Sequence, residues 1–186
     1  MARLTAVYLD FQDEACYRAW RWLSLLPERA SVEIRPFSID SWDAERPWDR
    51  PTVSYGLELL ALGELARESG RAAHEALVDA AFAALHDSES DLTATEAWLA
   101  VGANAGLDLD EFTSDTERWR AEVALWHAEA TDELGVRGVP TLVFDDRHAL
   151  FVHLDADVED PAAARRLLDG LAELAPQPVD VIRRTA

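Results

Sequence analysis

The sequence predicts an α/β protein in which a strand–helix–strand segment and a strand–strand–helix segment flank a long block of helices. Residues 1–41 contain two runs rich in β-branched and aromatic residues, separated by a run with helical spacing of apolar residues. Residues 56–134 keep helical spacing, and residues 135–175 return to two strand-like runs followed by one helix. This order favours one sheet with helices inserted between its second and third strands.

The first strand is predicted over Leu4–Leu9 and runs into a helix that starts near Asp13. Apolar residues then recur at helical spacing until Pro27 closes the run; they are Ala15, Ala19, Trp22, Leu23 and Leu26. A second strand is predicted over Ser31–Phe37, where β-branched and aromatic residues are again frequent.

The loop Ser38–Tyr55 contains two tryptophans, Trp42 and Trp48, among prolines and charged residues. Exposing two tryptophans to water is costly. We expect them either to cap the core or to wall a pocket beside Asp13 and Cys16. The first is favoured because aromatic side chains are mostly buried.

The helical block is predicted to contain several helices. Two long ones are predicted over Leu57–Ser69 and Arg71–His86, with Gly70 between them. Thr93–Glu96 and Ser114–Glu117 both have the Ser/Thr-x-x-Glu form of a capping box, so each is predicted to open a further helix.

The last third of the chain is predicted to form a hairpin and a helix. Thr141–Phe144 and Ala149–Leu154 are the two strands, joined by a short acidic turn. The final helix opens with Pro161 in its first turn and ends before Pro176. The tail that runs to Ala186 is predicted to be extended or mobile.

The composition limits the kinds of function. The chain has 186 residues, of which 49% are hydrophobic and 28% charged, so one folded domain over residues 1–186 is expected. The net charge of −19 argues against binding to nucleic acid or to an anionic membrane surface. No apolar run could span a membrane, and the N-terminus lacks the pattern of a secretory signal. With a single cysteine, the protein is predicted to be cytoplasmic; its oligomeric state is not predicted.

The junction between the first strand and the first helix is the candidate site. A helix start collects free backbone N–H groups and the positive end of the helix dipole, which suit an anion or a thiolate. Asp13 and Glu14 lie at this start, and Cys16, the only cysteine, follows within the first turn. The five histidines show no ligand spacing, so no metal site is predicted.

Two stretches of the sequence together carry a family resemblance. The first reads Asp10-Phe11-x-x-x-x-Cys16-Tyr17, and the second reads LGVRGVPTLVF over residues 134–144. They resemble the active-site corner and the cis-proline loop of the DsbA-like branch of the thioredoxin fold. The similarity is greatest to FrnE-like and 2-hydroxychromene-2-carboxylate isomerase-like members, which usually read Asp-Phe-x-Cys-Pro-Trp-Cys-Tyr.

The resemblance implies a thioredoxin-like fold with a helical insertion between the second strand and the cis-proline strand. The thioredoxin-like part would comprise residues 1–41 and 135–175, and the insertion residues from about 56 to 134.

The resemblance also implies roles for individual residues. Asp13 stands where the family has its nucleophilic cysteine, and Cys16 matches the second, resolving cysteine. The bond before Pro140 is cis in the family, and the backbone at the position of Val139 pairs with an extended substrate. Glu14, which stands in the Pro-Trp pair, and Tyr17 are further candidate binding residues.

Asp13 and Cys16 each have two interpretations. Asp13 is either the N-cap of the helix, which we favour because aspartate is among the best capping residues, or a fixed anion that acts as a base or orients a ligand. Cys16 is either a buried core residue or a monothiol nucleophile that forms mixed disulfides. The core interpretation is favoured because two neighbouring carboxylates oppose ionisation of the thiol.

Two classes of function follow as hypotheses. A chain with one cysteine cannot exchange an internal disulfide, so dithiol activity is excluded. The first hypothesis is a thiol-dependent enzyme: a monothiol oxidoreductase at Cys16, or a kappa-type transferase or isomerase that uses glutathione or mycothiol. Members of that type usually carry serine in place of Asp13, whose carboxylate would repel a bound thiolate. The second hypothesis is a non-catalytic protein that binds a small molecule or another protein.

Overall fold

The computed structural model describes residues 1–42 and 46–177, and within them it confirms the predicted α/β class. The four strands found there are β1 (Leu4–Leu9), β2 (Glu33–Pro36), β3 (Thr141–Phe144) and β4 (His148–Phe151). The α-helices of the same residues are α1 (Glu14–Leu23), α2 (Tyr55–Glu68), α3 (Arg71–Phe82), α4 (Thr95–Asn104), α5 (Leu109–Ser114), α6 (Thr116–Ala128) and α7 (Pro161–Leu174). None of these described helices is long and apolar enough to cross a membrane. The loop residues 43–45 and the predicted extended tail, residues 178–186, lie outside the described residues.

The sheet brings three chain segments to one of its ends. Its strand order is β2-β1-β3-β4, with β1 parallel to β2 and antiparallel to β3. Strand β1 is central and almost fully buried, as its apolar sequence predicts. The carboxyl ends of β1 and β2 therefore meet at the same end of the sheet as the start of β3. Helix α1 begins at this end, directly after β1.

The helical block is built around α2, which contacts α3, α4 and α6. Almost all of its side chains are buried, including the carboxylates of Glu58 and Glu64. Each carboxylate meets an arginine: Glu58 pairs with Arg120, and Glu64 lies 3.0 Å from Arg67. Since a buried charge is tolerated when it is paired, these contacts let α2 lie inside the block.

The two predicted capping boxes are wrong in detail. The N-cap of α4 is Ala94, while the Thr93 hydroxyl donates to Asp91 at 2.6 Å. The N-cap of α6 is Asp115, whose carboxylate accepts a backbone N–H at 3.3 Å, and Ser114 is the last residue of α5. In both cases the hydroxyl of the short side chain donates a hydrogen bond to a nearer oxygen. Such local bonds compete with the N-cap hydrogen bond.

The two loop tryptophans behave differently. Trp48 packs against the core and its ring lies 5.1 Å from the ring of His127, as a core cap should. Trp42 is 58% exposed, so the expectation that both tryptophans cap the core is wrong for this one. Its indole lies near Gly138, just before the predicted cis-proline.

Candidate functional site

Asp13 is the N-cap of α1. Its backbone is extended, and its carboxylate accepts the backbone N–H of Cys16 at 2.9 Å. Its own carbonyl accepts the N–H of Tyr17 at 3.1 Å, so the first helical bonds start here. The favoured capping interpretation is therefore the one that the geometry supports, and the carboxylate already has a partner.

Cys16 is a core residue in this structure. Its side chain is fully buried, and its sulfur accepts the backbone N–H of Asp10 at 3.4 Å. Burial, and then the negative charge of Asp13, hold the pKa of the Cys16 thiol well above its usual range. The thiolate is the nucleophilic form of a cysteine, and both burial and the raised pKa disfavour it here.

Asp10 is a residue of this corner to which the sequence reasoning gave no role. It is fully buried, and its two carboxylate oxygens accept the backbone N–H groups of Gln12 at 2.8 Å and Ile39 at 2.9 Å. Burial raises the pKa of the Asp10 carboxyl to about 7, although both hydrogen bonds act in the opposite direction. The sequence did contain a signal for Asp10, because this aspartate directly follows an apolar strand. Burying a carboxylate there costs free energy, which marks the residue as unusual.

Val139 and Pro140 lie at the same end of the sheet. Strand β3 begins at Thr141, directly after Pro140, and the register pairs Thr141 with Tyr8, one residue before the end of β1. The Val139–Pro140 peptide bond is cis, and both residues are buried. Within the described residues, no hydrogen bond involves the Val139 backbone.

Glu14 and Tyr17, the other predicted binding residues, make their polar side-chain contacts with Arg18 and with the end of α3. Glu14 is exposed and pairs with Arg18 one turn later. The Tyr17 hydroxyl donates to the carboxylate of Asp87, and its ring stacks on His86 with ring centres 4.9 Å apart. These last two partners belong to the π-helical turn Ala83–Asp87 that ends α3, and sequence spacing gave no signal for them.

The helical block also contacts the start of α1 through His86. One ring nitrogen of His86 lies 2.8 Å from the carbonyl oxygen of Phe11. Phe82, in the last turn of α3, packs edge-on against the Phe11 ring. The segment between β1 and α1 is therefore held from the side of the helical block.

An exposed aromatic surface lies beside the buried corner. A Cβ atom on Gly138 would lie 3.5 Å from the ring of Phe151 and 4.0 Å from that of Trp42. These two rings are 60% and 58% exposed, respectively. We call Trp42, Gly138 and Phe151 the Gly138 patch. Phe151 ends β4, the outermost strand of the sheet among the described residues.

The described part of the chain holds no group of three or more His, Cys, Asp or Glu side chains placed to hold a metal ion. The prediction of no metal site stays a prediction, because residues 43–45 and 178–186 are not described.

Comparison with known proteins gives a consistent picture of the fold. Residues 51–160 match the family described as the DSBA-like thioredoxin domain. No curated protein matches the sequence. A probable DsbA oxidoreductase from Streptomyces coelicolor has a similar structure, with a TM-score of 0.65 and 21% identity over 95% of this chain and 92% of that one.

Two structures of the disulfide oxidoreductase DsbA from Proteus mirabilis are also similar. The protein itself gives a TM-score of 0.59 at 15% identity, covering 94% of this chain and 88% of that one. A cysteine-to-serine variant of it, with the peptide PWATCDS bound non-covalently, gives a TM-score of 0.59 at 15% identity, covering 94% and 89%. At these identities the likeness shows the fold alone.

Proposed function

Because this chain belongs to the DSBA-like thioredoxin domain family while its only cysteine is buried, we propose that it is a binding protein without thiol–disulfide chemistry. Its ligand would be an extended polypeptide segment of a partner, held at the Gly138 patch. The observation that carries this proposal is the fully buried, hydrogen-bonded sulfur of Cys16. Within the family, the Asp10-Phe11 and Cys16-Tyr17 pairs favour the FrnE-like and isomerase-like branch.

This arrangement argues against two routes to thiol chemistry. Exchange within one chain needs two thiols, and the sequence has one. A monothiol route needs an accessible thiolate, whereas burial and Asp13 raise the pKa of the Cys16 thiol and its sulfur has no exposed surface. A binding role on the same fold needs no reactive thiol.

The residues of the corner argue against a bound small thiol. Glutathione or mycothiol would bring a thiolate to the start of α1, where the helix dipole favours an anion. The Asp13 carboxylate already fills that position and accepts the Cys16 N–H. A second anion there would be repelled, so the kappa-type transferase and isomerase hypotheses are not supported by these residues.

The Gly138 patch has the features of a polypeptide-binding surface. Two large aromatic rings near Gly138 are exposed, and exposed aromatic clusters are typical of interaction sites. Strand β4 pairs with β3 alone among the described strands, so its outer edge can accept an added strand. The structure of the Proteus mirabilis protein with a peptide supports such binding on this fold.

The absence of thiol chemistry can be tested by intact mass. We expect no adduct after the native protein is incubated with glutathione disulfide or mycothiol disulfide, because the Cys16 sulfur is inaccessible. The unfolded protein should form the adduct, and the Cys16→Ser variant should form it in neither state. A Cys16-dependent adduct on the native protein would instead establish a monothiol site and overturn the proposal.

The binding surface can be tested with the peptide PWATCDS under reducing conditions. We expect the peptide to shift the amide resonance of Gly138 and the indole resonance of Trp42, and Trp42→Ala to weaken binding by roughly tenfold, the loss typical of a central aromatic contact. Leu125→Ala is the matched control, since Leu125 is an exposed apolar residue on α6, outside the Gly138 patch. Absence of binding, or equal weakening by both variants, would reject the Gly138 patch as the site.

A further inference from the structure

The outer edge of β2 is largely blocked against a further strand. The Ile34 carbonyl accepts a hydrogen bond from the Arg67 guanidinium at 2.5 Å, and the carbonyl of Val32, just before the strand, accepts one from Arg71 at 3.2 Å. Alternate residues of a strand face the same edge, so Pro36 also faces outward, where it has no N–H to donate. Bonded carbonyls and a proline discourage pairing with another chain at this edge.

The outer edge of β4 is open. The Val152 N–H donates to the Pro140 carbonyl at 3.0 Å, so these two residues form a hydrogen-bonded pair between the two segments of the hairpin. In an antiparallel ladder such pairs alternate with pairs whose backbone groups point away from each other. Phe151 and Ala149 therefore direct their N–H and C=O groups away from β3. Among the described residues, these outward groups have no hydrogen-bond partner.

The open edge is limited to β4 itself, which has four residues. At one end the left-handed residues Asp145 and Asp146, with φ of 51° and 56°, form the turn from β3 into β4. Beyond the other end the Arg18 guanidinium donates to the carbonyls of Leu154 at 3.2 Å and Asp155 at 3.4 Å. A strand added at this edge is therefore short.

Phe151 belongs both to the open edge and to the Gly138 patch, so a segment paired with β4 also meets the aromatic surface. Residues that lie directly opposite each other in an antiparallel pair have their side chains on the same face of the sheet. A large apolar side chain opposite Phe151 would therefore pack beside the Phe151 ring, which is 60% exposed.

We propose that the partner segment adds to the sheet as a short antiparallel strand on β4, paired with the backbone of Phe151 and Ala149. This inference rests on the proposed function and deepens it, because it defines the ligand by its backbone. The two ligand residues opposite Phe151 and Ala149 must each carry an N–H, so proline is excluded at both. The residue opposite Phe151 carries a large apolar side chain. Antiparallel pairing is chosen because it is more stable per residue than parallel pairing.

Backbone methylation of the peptide PWATCDS tests the pairing. With its tryptophan opposite Phe151, its threonine lies opposite Ala149, and the N–H of the alanine between them points away from β4. We expect N-methylation at the tryptophan or the threonine to weaken binding by about tenfold or more, because an N–H bonded to the sheet is lost. N-methylation at the alanine, the matched control, should leave the affinity unchanged. Equal effects at all three positions, or a loss at the alanine alone, would overturn the proposal.

Hydrogen exchange in the protein gives the complementary measurement. The amides of Ala149 and Phe151 should exchange rapidly in the free protein and slowly in the complex. The amide of Ile34, which faces outward on β2, is the control and should exchange at the same rate in both. Slow exchange of Ala149 and Phe151 in the free protein would show that the edge is already paired, and would overturn the proposal. Peptide binding without protection of these amides would overturn this proposal alone, whereas no peptide binding would overturn the proposed function as well.

Ala149→Pro removes one outward N–H from the protein itself. Proline is tolerated on an edge strand where its missing N–H would face solvent, so β4 should persist, and continued protection of the Val152 amide checks this. We expect Ala149→Pro to weaken peptide binding by about tenfold, and Leu125→Ala, on α6, to leave it unchanged. Unchanged binding by a folded Ala149→Pro protein would overturn the proposal; if this variant is unfolded, the exchange rates of the natural protein decide.

Discussion

Replacing Asp10 with asparagine should stabilise the protein progressively, relative to the natural chain, as the pH rises from about 4 to about 7. The free energy of unfolding of the variant minus that of the natural protein should increase by about 3 kcal/mol over this range. The cause is burial, which raises the pKa of the Asp10 carboxyl in the folded chain to about 7 from its ordinary value near 3.8.

The sign follows from proton binding. Between pH 4 and pH 7 the folded chain keeps a proton on Asp10 that the unfolded chain has lost, so the unfolded state gains stability as the pH rises. The contribution of Asp10 to stability is therefore fully present below about pH 4 and is lost as the pH rises through about 7. Asparagine stays neutral, but it cannot accept the N–H groups of both Gln12 and Ile39 as a carboxylate does, which adds a cost that is independent of pH.

Denaturant unfolding of both proteins across this pH range measures the difference. Asp155→Asn is the control, since its carboxylate is 79% exposed and its removal should leave the curve parallel to that of the natural protein. A difference between Asp10→Asn and the natural protein that stays constant with pH would show that the Asp10 carboxyl has an ordinary pKa in the folded chain.

Replacing His74 with leucine should stabilise the protein at acid pH. His74 lies in the first turn of α3 and is buried, which lowers the pKa of its imidazole to about 3; the charges of Arg67 and Arg71 act in the same direction. The unfolded chain binds a proton at this histidine below about pH 6.5, whereas the folded chain does not do so until about pH 3. The contribution of His74 to stability is thus present above pH 6.5, and about 4–5 kcal/mol of it is lost as the pH falls to 3.

The relevant measurement is again the difference in unfolding free energy between variant and natural protein, from pH 7 down to pH 3. As the pH falls, His74→Leu should become increasingly more stable than the natural protein. The control is His153→Gln, a change at an exposed histidine, for which the difference should not increase. If the difference in unfolding free energy for His74→Leu did not change with pH, the folded chain would bind a proton at His74 as readily as the unfolded chain does. Because the Asp10 and His74 effects have opposite signs between pH 4 and 6.5, the natural protein alone shows only their sum.

Local signals in the sequence were sufficient for much of the fold. Asp13 before an amphipathic run predicted the start of α1, and Pro161 predicted the start of α7, because capping depends on residues within one turn. Thr93 and Ser114 show where local rules are insufficient. Each matches a capping pattern, yet in both helices the N-cap is the following residue, because a neighbouring polar group competes for the side chain.

The candidate site was predicted only in part. The motif located Asp13, Cys16, Val139 and Pro140, all of which lie at the end of the sheet where β1 ends and β3 begins. Motif spacing could not find Asp87, because its contact with Tyr17 joins residues 70 positions apart in the chain.

The sequence by itself determined that this protein cannot exchange an internal disulfide, since that depends only on its having one cysteine. It also determined that a carboxylate, that of Asp13, stands at the start of the first helix. Only the tertiary structure decided that Cys16 is sealed in the core, that Asp10 is buried with a raised pKa, and that Trp42 is exposed. These properties depend on desolvation, and desolvation is set by which distant segments pack over a residue, which no local stretch of sequence specifies.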